Sequence, residues 1–270
     1  MSAPAEPVRA VAVYRRRIPA SLARVFENVL DWEHLPWLHR STFSDIELES
    51  AGRWGWSARV ALAPRERGAE ARLEVRLDRP RLRYVTRTVA GLGAGTEIVT
   101  RLRPAGERAT DIEVAFHVPG VPADRTGAVG EAYVRLYTRL WDEDVAMMLR
   151  RQARLDAGRQ RAAPGAEPLR LGPVADLRAS LPRVVEARGR RYRIIAWEGE
   201  LLAHPVDCPH LGGPLDEAEV ETGCVVCPWH GYRFRLRDGA EAHGRPFSLG
   251  DLPEVRIDPE RGEASLHWRP

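Results

Sequence analysis

Two short stretches near the C-terminus pair cysteine with histidine. Cys208-Pro209-His210 and Cys227-Pro228-Trp229-His230 are separated by sixteen residues, so each stretch offers one thiolate and one imidazole. Such a set fits a [2Fe–2S] cluster in which one iron takes protein ligands only through sulfur and the other only through nitrogen. Neutral imidazole in place of thiolate removes negative charge from the site and raises its reduction potential. Zinc also accepts two Cys and two His, but zinc fingers space like ligands as C-x2–4-C and H-x3–5-H, unlike these stretches. Pro209, Gly212, Gly213, Pro214, Pro228 and Gly231 suit loops that turn tightly around a cluster. The third cysteine, Cys224, reads as a small apolar residue on a short buried strand leading into the second loop. A redox dithiol with Cys227 is disfavoured, because that residue is already committed as a ligand.

The match extends beyond the four ligands. Cys208-Pro-His210-Leu211-Gly212-Gly213-Pro214-Leu215 and Cys227-Pro-Trp-His230-Gly231-Tyr232-Arg233-Phe234 closely resemble the ligand loops of the Rieske domain family. The resemblance implies one-electron transfer through a [2Fe–2S] cluster. High-potential members resemble C-x-H-x-x-C … C-x-C-H-G-S, with an added disulfide and a serine hydrogen bond. Here those positions hold Gly213, Trp229 and Tyr232. The comparison implies a low-potential cluster, near the lower end of a range of roughly −150 to +300 mV.

A second constellation lies in the first half, in Glu27-Asn28-Val29-Leu30-Asp31-Trp32-Glu33-His34-Leu35-Pro36-Trp37-Leu38-His39. Asp31 and His34 are three apart and share a helix face. His39 would point away on an ideal helix, and Pro36 is expected to break the helix and turn it back. A two-histidine metal site also needs a carboxylate. On the segment around residues 137–148, Tyr137, Leu140 or Trp141, Asp144 and Met148 recur at helical spacing, which puts Asp144 on the apolar stripe. A buried carboxylate is costly without a partner, and a metal is a good partner. Asp144 is the first choice and Asp142 the second.

The stretch from Glu27 resembles the E-N-x-x-D-x-x-H-x-x-x-x-H run in the catalytic domains of Rieske non-haem iron oxygenases. Glu143-Asp144 with Gln152 resembles the E-D-x7-Q run around that family's carboxylate ligand. The resemblance implies that His34, His39 and Asp144 bind a mononuclear Fe(II), and that Asp31 links the iron site to a Rieske histidine. It further implies an electron-donating reductase or ferredoxin fed by NAD(P)H, O2 as co-substrate and a hydrophobic small-molecule substrate. One departure is plain: the family usually places the Rieske domain first, and here it comes second. Electron transfer within one chain and transfer between chains of a homo-oligomer both stay open.

These residues need a scaffold. Val8–Arg17 reads as a strand with Val11, Val13 and Tyr14 near its buried face. Ser21 is a plausible N-cap for a helix carrying Leu22, Val25, Phe26, Val29 and Leu30. Strand-like runs follow at 43–49, 53–63, 70–77, 82–89, 95–103 and 109–117, and a long helix over 127–156 closes the unit. This order resembles the START/Bet v 1-like helix-grip fold, which implies an apolar cavity between sheet and final helix. Trp32, Trp37, Trp54, Trp56, Tyr137, Trp141, Met147 and Met148 are candidate cavity residues, each with core packing as the competing reading. Residues 157–168 lack apolar periodicity and read as a linker. Beyond them, short runs at 183–187, 192–197, 224–226, 232–236, 255–257 and 264–268 suggest a small all-β domain. The expectation is therefore α+β: a helix-grip catalytic domain at 1–156, a linker, and a Rieske domain at 169–270.

Composition narrows the function classes. All 41 basic residues are arginine, which excludes lysine Schiff-base chemistry and a P-loop lysine. The net charge of +3 is small and the arginines are interspersed with Asp and Glu, so a nucleic-acid footprint is not expected. No apolar run is long enough to span a bilayer and no signal-peptide core precedes the first strand. With three cysteines, two of them committed to metal, the reading is a cytoplasmic protein. An iron-dependent oxygenase is the leading expectation. The alternative is a non-enzymatic ligand-binding domain fused to a Rieske ferredoxin or redox sensor.

Overall fold

The computed structural model describes residues 9–65, 68–158, 167–250 and 252–268. These form two compact units, Met1–Leu149 and Arg150–Pro270. Most of the expected linker, at 159–166, lies outside the described residues.

The first unit opens with β1 (Ala12–Ile18) and α1 (Leu22–Leu30). Ser21 caps α1 as expected, its hydroxyl accepting from the Arg24 N–H at 3.3 Å. A 3₁₀ turn at Trp32–His34 and the four-residue α2 (Leu35–Leu38) follow. Six antiparallel strands come next: β2 (Phe43–Gly52), β3 (Gly55–Leu62), β4 (Glu70–Asp78), β5 (Arg83–Gly91), β6 (Glu97–Pro104) and β7 (Thr110–His117). The helix α3 (Thr126–Gly158) closes the unit, which it leaves at Leu149.

The sheet order is β1-β7-β6-β5-β4-β3-β2, a meander whose last strand pairs with the first. One face carries Trp56, Val75, Ile98, Val114 and Phe116, and α3 packs on it through Trp141, Val145 and Met148. This is the helix-grip arrangement. Val25, Val114 and Phe116 are wholly inside, each contributing about 1.5–3 kcal/mol by burial. A Cβ on Gly130 would lie 2.6 Å from the Val11 carbonyl oxygen. Helix and chain therefore approach more closely there than a side chain allows, and this seats α3.

Two expectations need correction. Val13 is 41% exposed, because strand period two groups it with the outward Arg15 and Arg17 while Tyr14 and Ile18 face the core. The helix after Ser21 also ends earlier than Pro36. It stops at Asp31, whose backbone leaves the helical region at φ −86°, ψ 76°, and Pro36 instead sits in the first turn of α2. A proline there costs nothing, since a first-turn N–H has no intrahelical partner.

The second unit is all-β apart from the short helix α4 (Val174–Ala179). β8 (Leu169–Pro173), β9 (Arg183–Ala187), β10 (Arg190–Trp197), β11 (Glu200–Pro205), β15 (Glu254–Asp258) and β16 (Glu263–His267) form one sheet, in the order β8-β16-β15-β11-β10-β9. Between β11 and β15 a smaller sheet holds β12 (Val220–Glu221), β13 (Cys224–Val226) and β14 (Arg233–Arg235). Leu177, Tyr192, Ile194, Ala203 and Leu266 fill the core of the larger sheet. Among the described residues no helix is long and apolar enough to cross a membrane.

Candidate functional site

In the second unit, one ligand loop follows β11 and the other joins β13 to β14. Both close in the same way. The Cys208 N–H donates to the Gly213 carbonyl at 2.9 Å and the Gly212 N–H donates back to Cys208 at 2.9 Å. The Cys227 N–H donates to the Tyr232 carbonyl and the Gly231 N–H donates back to Cys227, each at 2.8 Å. Four residues after each cysteine the chain needs positive φ, at Gly212 (86°) and Gly231 (66°), which glycine adopts without steric cost. The loops thus present Cys208, His210, Cys227 and His230 from a common backbone turn.

Both sulfurs are buried and in hydrogen-bonding contact with each other. Sharing one hydrogen with Cys227, together with burial, pushes the Cys208 thiol far up. The same contact with Cys208, helped by His230, lowers Cys227. Metal coordination takes both as thiolates and relieves the repulsion that keeps one protonated. The His210 and His230 rings lie 4.6 Å apart at 78°. Tyr232 stacks on His210 at 4.6 Å and 21°. Arg150 braces the first loop, donating to the carbonyls of Gly212 at 3.1 Å and Val206 at 3.3 Å. A Cβ on Gly213 would lie 2.6 Å from the Cys227 sulfur, so the two loops touch at that point. The donor set and its close packing fit a [2Fe–2S] cluster. Cys224 lies on the buried β13, as its apolar reading expects.

In the first unit, the chain's exit from α1 at Asp31 swings His34 inward on the 3₁₀ turn, and α2 returns His39 to the same side. The His39 N–H closes α2 on the Leu35 carbonyl at 3.2 Å. The imidazoles meet edge to face, 5.0 Å between centroids. Asp144 comes from α3 on the stripe with Trp141, Val145 and Met148. One donor atom from each of His34, His39 and Asp144 lies within 4.8 Å of the others. Exposure is only 4%, 2% and 9% respectively. Asp142, the second choice, points outward: its side chain is 58% exposed and pairs with Arg16 at 2.5 Å.

The partners of these groups define the electrostatics. His39 Nε2 lies 3.1 Å from Asp144 Oδ1, and His34 Nε2 lies 3.6 Å from the same oxygen. The Asn28 amide donates to it at 3.0 Å. Burial alone would raise the Asp144 carboxyl, but His39, His34 and Asn28 together hold it below its usual value. Burial likewise opposes a charged His39, yet Asp144 and Glu143 raise it. Glu143 Oε2 lies 2.6 Å from His39 Nδ1, on the far side of the ring from Asp144. A carboxylate in that place fixes the ring and makes it a better ligand. Asp31 Oδ2 stands 3.7 Å from His34 Nδ1. Two imidazoles and a carboxylate, buried and braced from behind, fit a divalent metal with open positions.

Sequence reasoning assigned no role to Asn28 or Glu143. Asn28 is the N of the E-N-x-x-D run, three residues before Asp31, and that was the available signal. For Glu143 the signal was its place in the E-D-x7-Q run beside Asp144. A cavity of about 130 Å3 adjoins the cluster, walled by Phe43, Trp56, Tyr84, Tyr137 and Trp141. Of the candidate cavity residues, Trp56, Tyr137 and Trp141 line it. Met148 packs in the core, Met147 is buried and Trp37 is 42% exposed. Met147 and Met148 lie beyond Asp144 on α3, outside the stretch from Tyr137 to Asp144 that faces the cavity.

Comparison with known proteins agrees with the second unit. Residues 167–249 match the Rieske [2Fe-2S] domain. A human Rieske domain-containing protein is 33% identical over 73 residues, 26% of this chain and 46% of that protein. Rice chloroplastic pheophorbide a oxygenase is 35% identical over 89 residues, 31% of this chain and 16% of that protein. The matched segments thus span less than half of these relatives. The ZhuI aromatase/cyclase from Streptomyces sp. R1128 aligns with 52% of this chain and 93% of its own, at 15% identity and a TM-score of 0.42.

Proposed function

We propose that this chain, which carries a Rieske domain at residues 167–249, is a Rieske-type non-haem iron oxygenase acting on an apolar small molecule. An external NAD(P)H-linked reductase or ferredoxin is its electron donor. Cys208, His210, Cys227 and His230 hold the [2Fe–2S] cluster, and His34, His39 and Asp144 hold the mononuclear iron. One observation carries the reading: two histidines and a carboxylate converge, buried, on a cavity in a chain that also bears a Rieske domain.

The cluster supplies single electrons, and an iron(II) with two imidazoles and one carboxylate supplies open positions for O2. The chain's own groups do the rest. Asn28 fixes Asp144 and Glu143 fixes His39, so the donor atoms are aimed before metal arrives. Trp56 is held by its own Nε1–H, which donates to the Val29 carbonyl at 2.8 Å, and so turns a dry ring wall to the cavity. Burial raises the phenols of Tyr84 and Tyr137 above their ordinary range, so both stay protonated near neutrality.

Two variants test this assignment. Asp31→Ala is expected to spare both metals and slow reoxidation of the reduced cluster about tenfold or more. Stopped-flow absorbance with parallel iron analysis reads both effects, and loss of iron would make Asp31 a ligand instead. Glu143→Gln is expected to weaken the mononuclear site's affinity about 10- to 100-fold. Cobalt(II) titration against a chelator measures it, and unchanged affinity would remove Glu143 from the site's support.

A further inference from the structure

The cavity beside His34, His39 and Asp144 is small, neutral and unevenly polar. Its volume is about 130 Å3. A cavity of about 150 Å3 in another protein holds one benzene, so this one suits a single six-membered ring and not a fused polycycle. No arginine lines it, and the chain has no lysine. Asp31 and Asp144 stand on its wall and together would balance the charge of a divalent ion there, so no net positive charge is left to draw an anionic substrate.

The remaining polarity includes the hydroxyls of Tyr84, Thr86 and Tyr137, which line the cavity. A hydroxyl on the wall of a largely apolar cavity orients a ligand that carries a group to pair it. The Tyr137 ring is fixed edge-on against the fully buried Phe116, 4.8 Å between centroids and 72° between planes. Its phenol is thus a preorganised donor. On α3, Tyr137 stands seven residues from Asp144, about 10 Å along the axis, so it holds the end of a ligand remote from the metal ligands.

We infer that the substrate is an uncharged single-ring molecule bearing one hydrogen-bond-accepting oxygen, a ketone or ether, which the Tyr137 hydroxyl holds away from His34, His39 and Asp144. The inference rests on the oxygenase reading only in calling this ligand a substrate.

Calorimetric titration of the full, iron-loaded chain under anaerobic conditions without reductant tests it, with acetophenone, toluene, benzoate and pyrene as probes. Acetophenone is expected to bind roughly five- to tenfold more tightly than toluene, the worth of one hydrogen bond. Benzoate and pyrene are expected not to bind. Tyr137→Phe is expected to abolish the preference for acetophenone and leave toluene unchanged. Pyrene or benzoate binding as well as acetophenone, a preference that survives Tyr137→Phe, or no binding by any probe would overturn the proposal. Iron analysis of the same sample separates the two claims. Two irons per chain with the selectivity intact sinks the oxygenase reading and leaves this one. Three irons without selectivity does the reverse.

Discussion

Asp144→Ala removes about one iron in three from each chain and abolishes oxygen-dependent turnover, while the cluster's paramagnetic signal persists. Asp144 is the only carboxylate whose oxygen lies near both imidazoles among the described residues, at 3.1 Å from His39 and 3.6 Å from His34. Alanine leaves two neutral nitrogens to hold a divalent ion and strands the Asn28 amide, a cost of about 1–3 kcal/mol in stability. Asp144→Asn keeps the shape and tests charge alone, and is also expected to lose the iron. Asp142→Ala is the control. That carboxylate is outward and bound to Arg16, so its loss costs at most about 1 kcal/mol and spares the iron. Metal analysis with electron paramagnetic resonance reads all three variants. Iron lost with Asp142 and retained without Asp144 would reverse the choice of carboxylate.

Gly213→Ala empties the second centre without touching a ligand. Its Cβ would lie 2.6 Å from the Cys227 sulfur and 3.2 Å from the Trp229 ring. Real Cβ atoms do not approach so closely, so either a sulfur ligand or the buried indole must move. Holding ligands to within about 0.5 Å is what a preorganised site requires. The expected result is loss of most of the cluster, seen as loss of its visible absorbance and its signal, with the mononuclear iron retained. Cys227→Ser sets the scale for complete loss. A Gly213→Ala chain with a full complement of cluster would show that the two loops are not in contact when metal is bound.

The residues around the cluster were legible because their geometry is local. A cysteine, a glycine four residues later at positive φ and two backbone hydrogen bonds define each turn, and all of it lies within six consecutive positions. The strands of the first unit were legible through alternation, and Ser21 through its cap. The convergence of His34 and His39 was legible as a result but not as a cause. The chain turns at Asp31, where backbone dihedrals decide, and not at Pro36. Val13 was misjudged because a strand's apolar residues do not by themselves reveal which parity faces the core. β11, with Leu201, Ala203, His204 and Pro205 all buried, was missed because its burial is not a clean alternation. Glu143 stood in the E-D-x7-Q run, but its support of His39 was not legible, because that partner is 104 residues away and reaches it only through the fold.

The central claim is that the chain contains its own destination for the electron that its Rieske domain carries. Iron quantification on anaerobically purified protein, with electron paramagnetic resonance of the reduced cluster on the same sample, tests it most directly. The account predicts about three irons per chain, two in the cluster and one lost on His39→Ala. About two irons per chain, unchanged by His39→Ala and all accounted for by the cluster signal, would contradict it and leave a ligand-binding domain joined to an electron carrier.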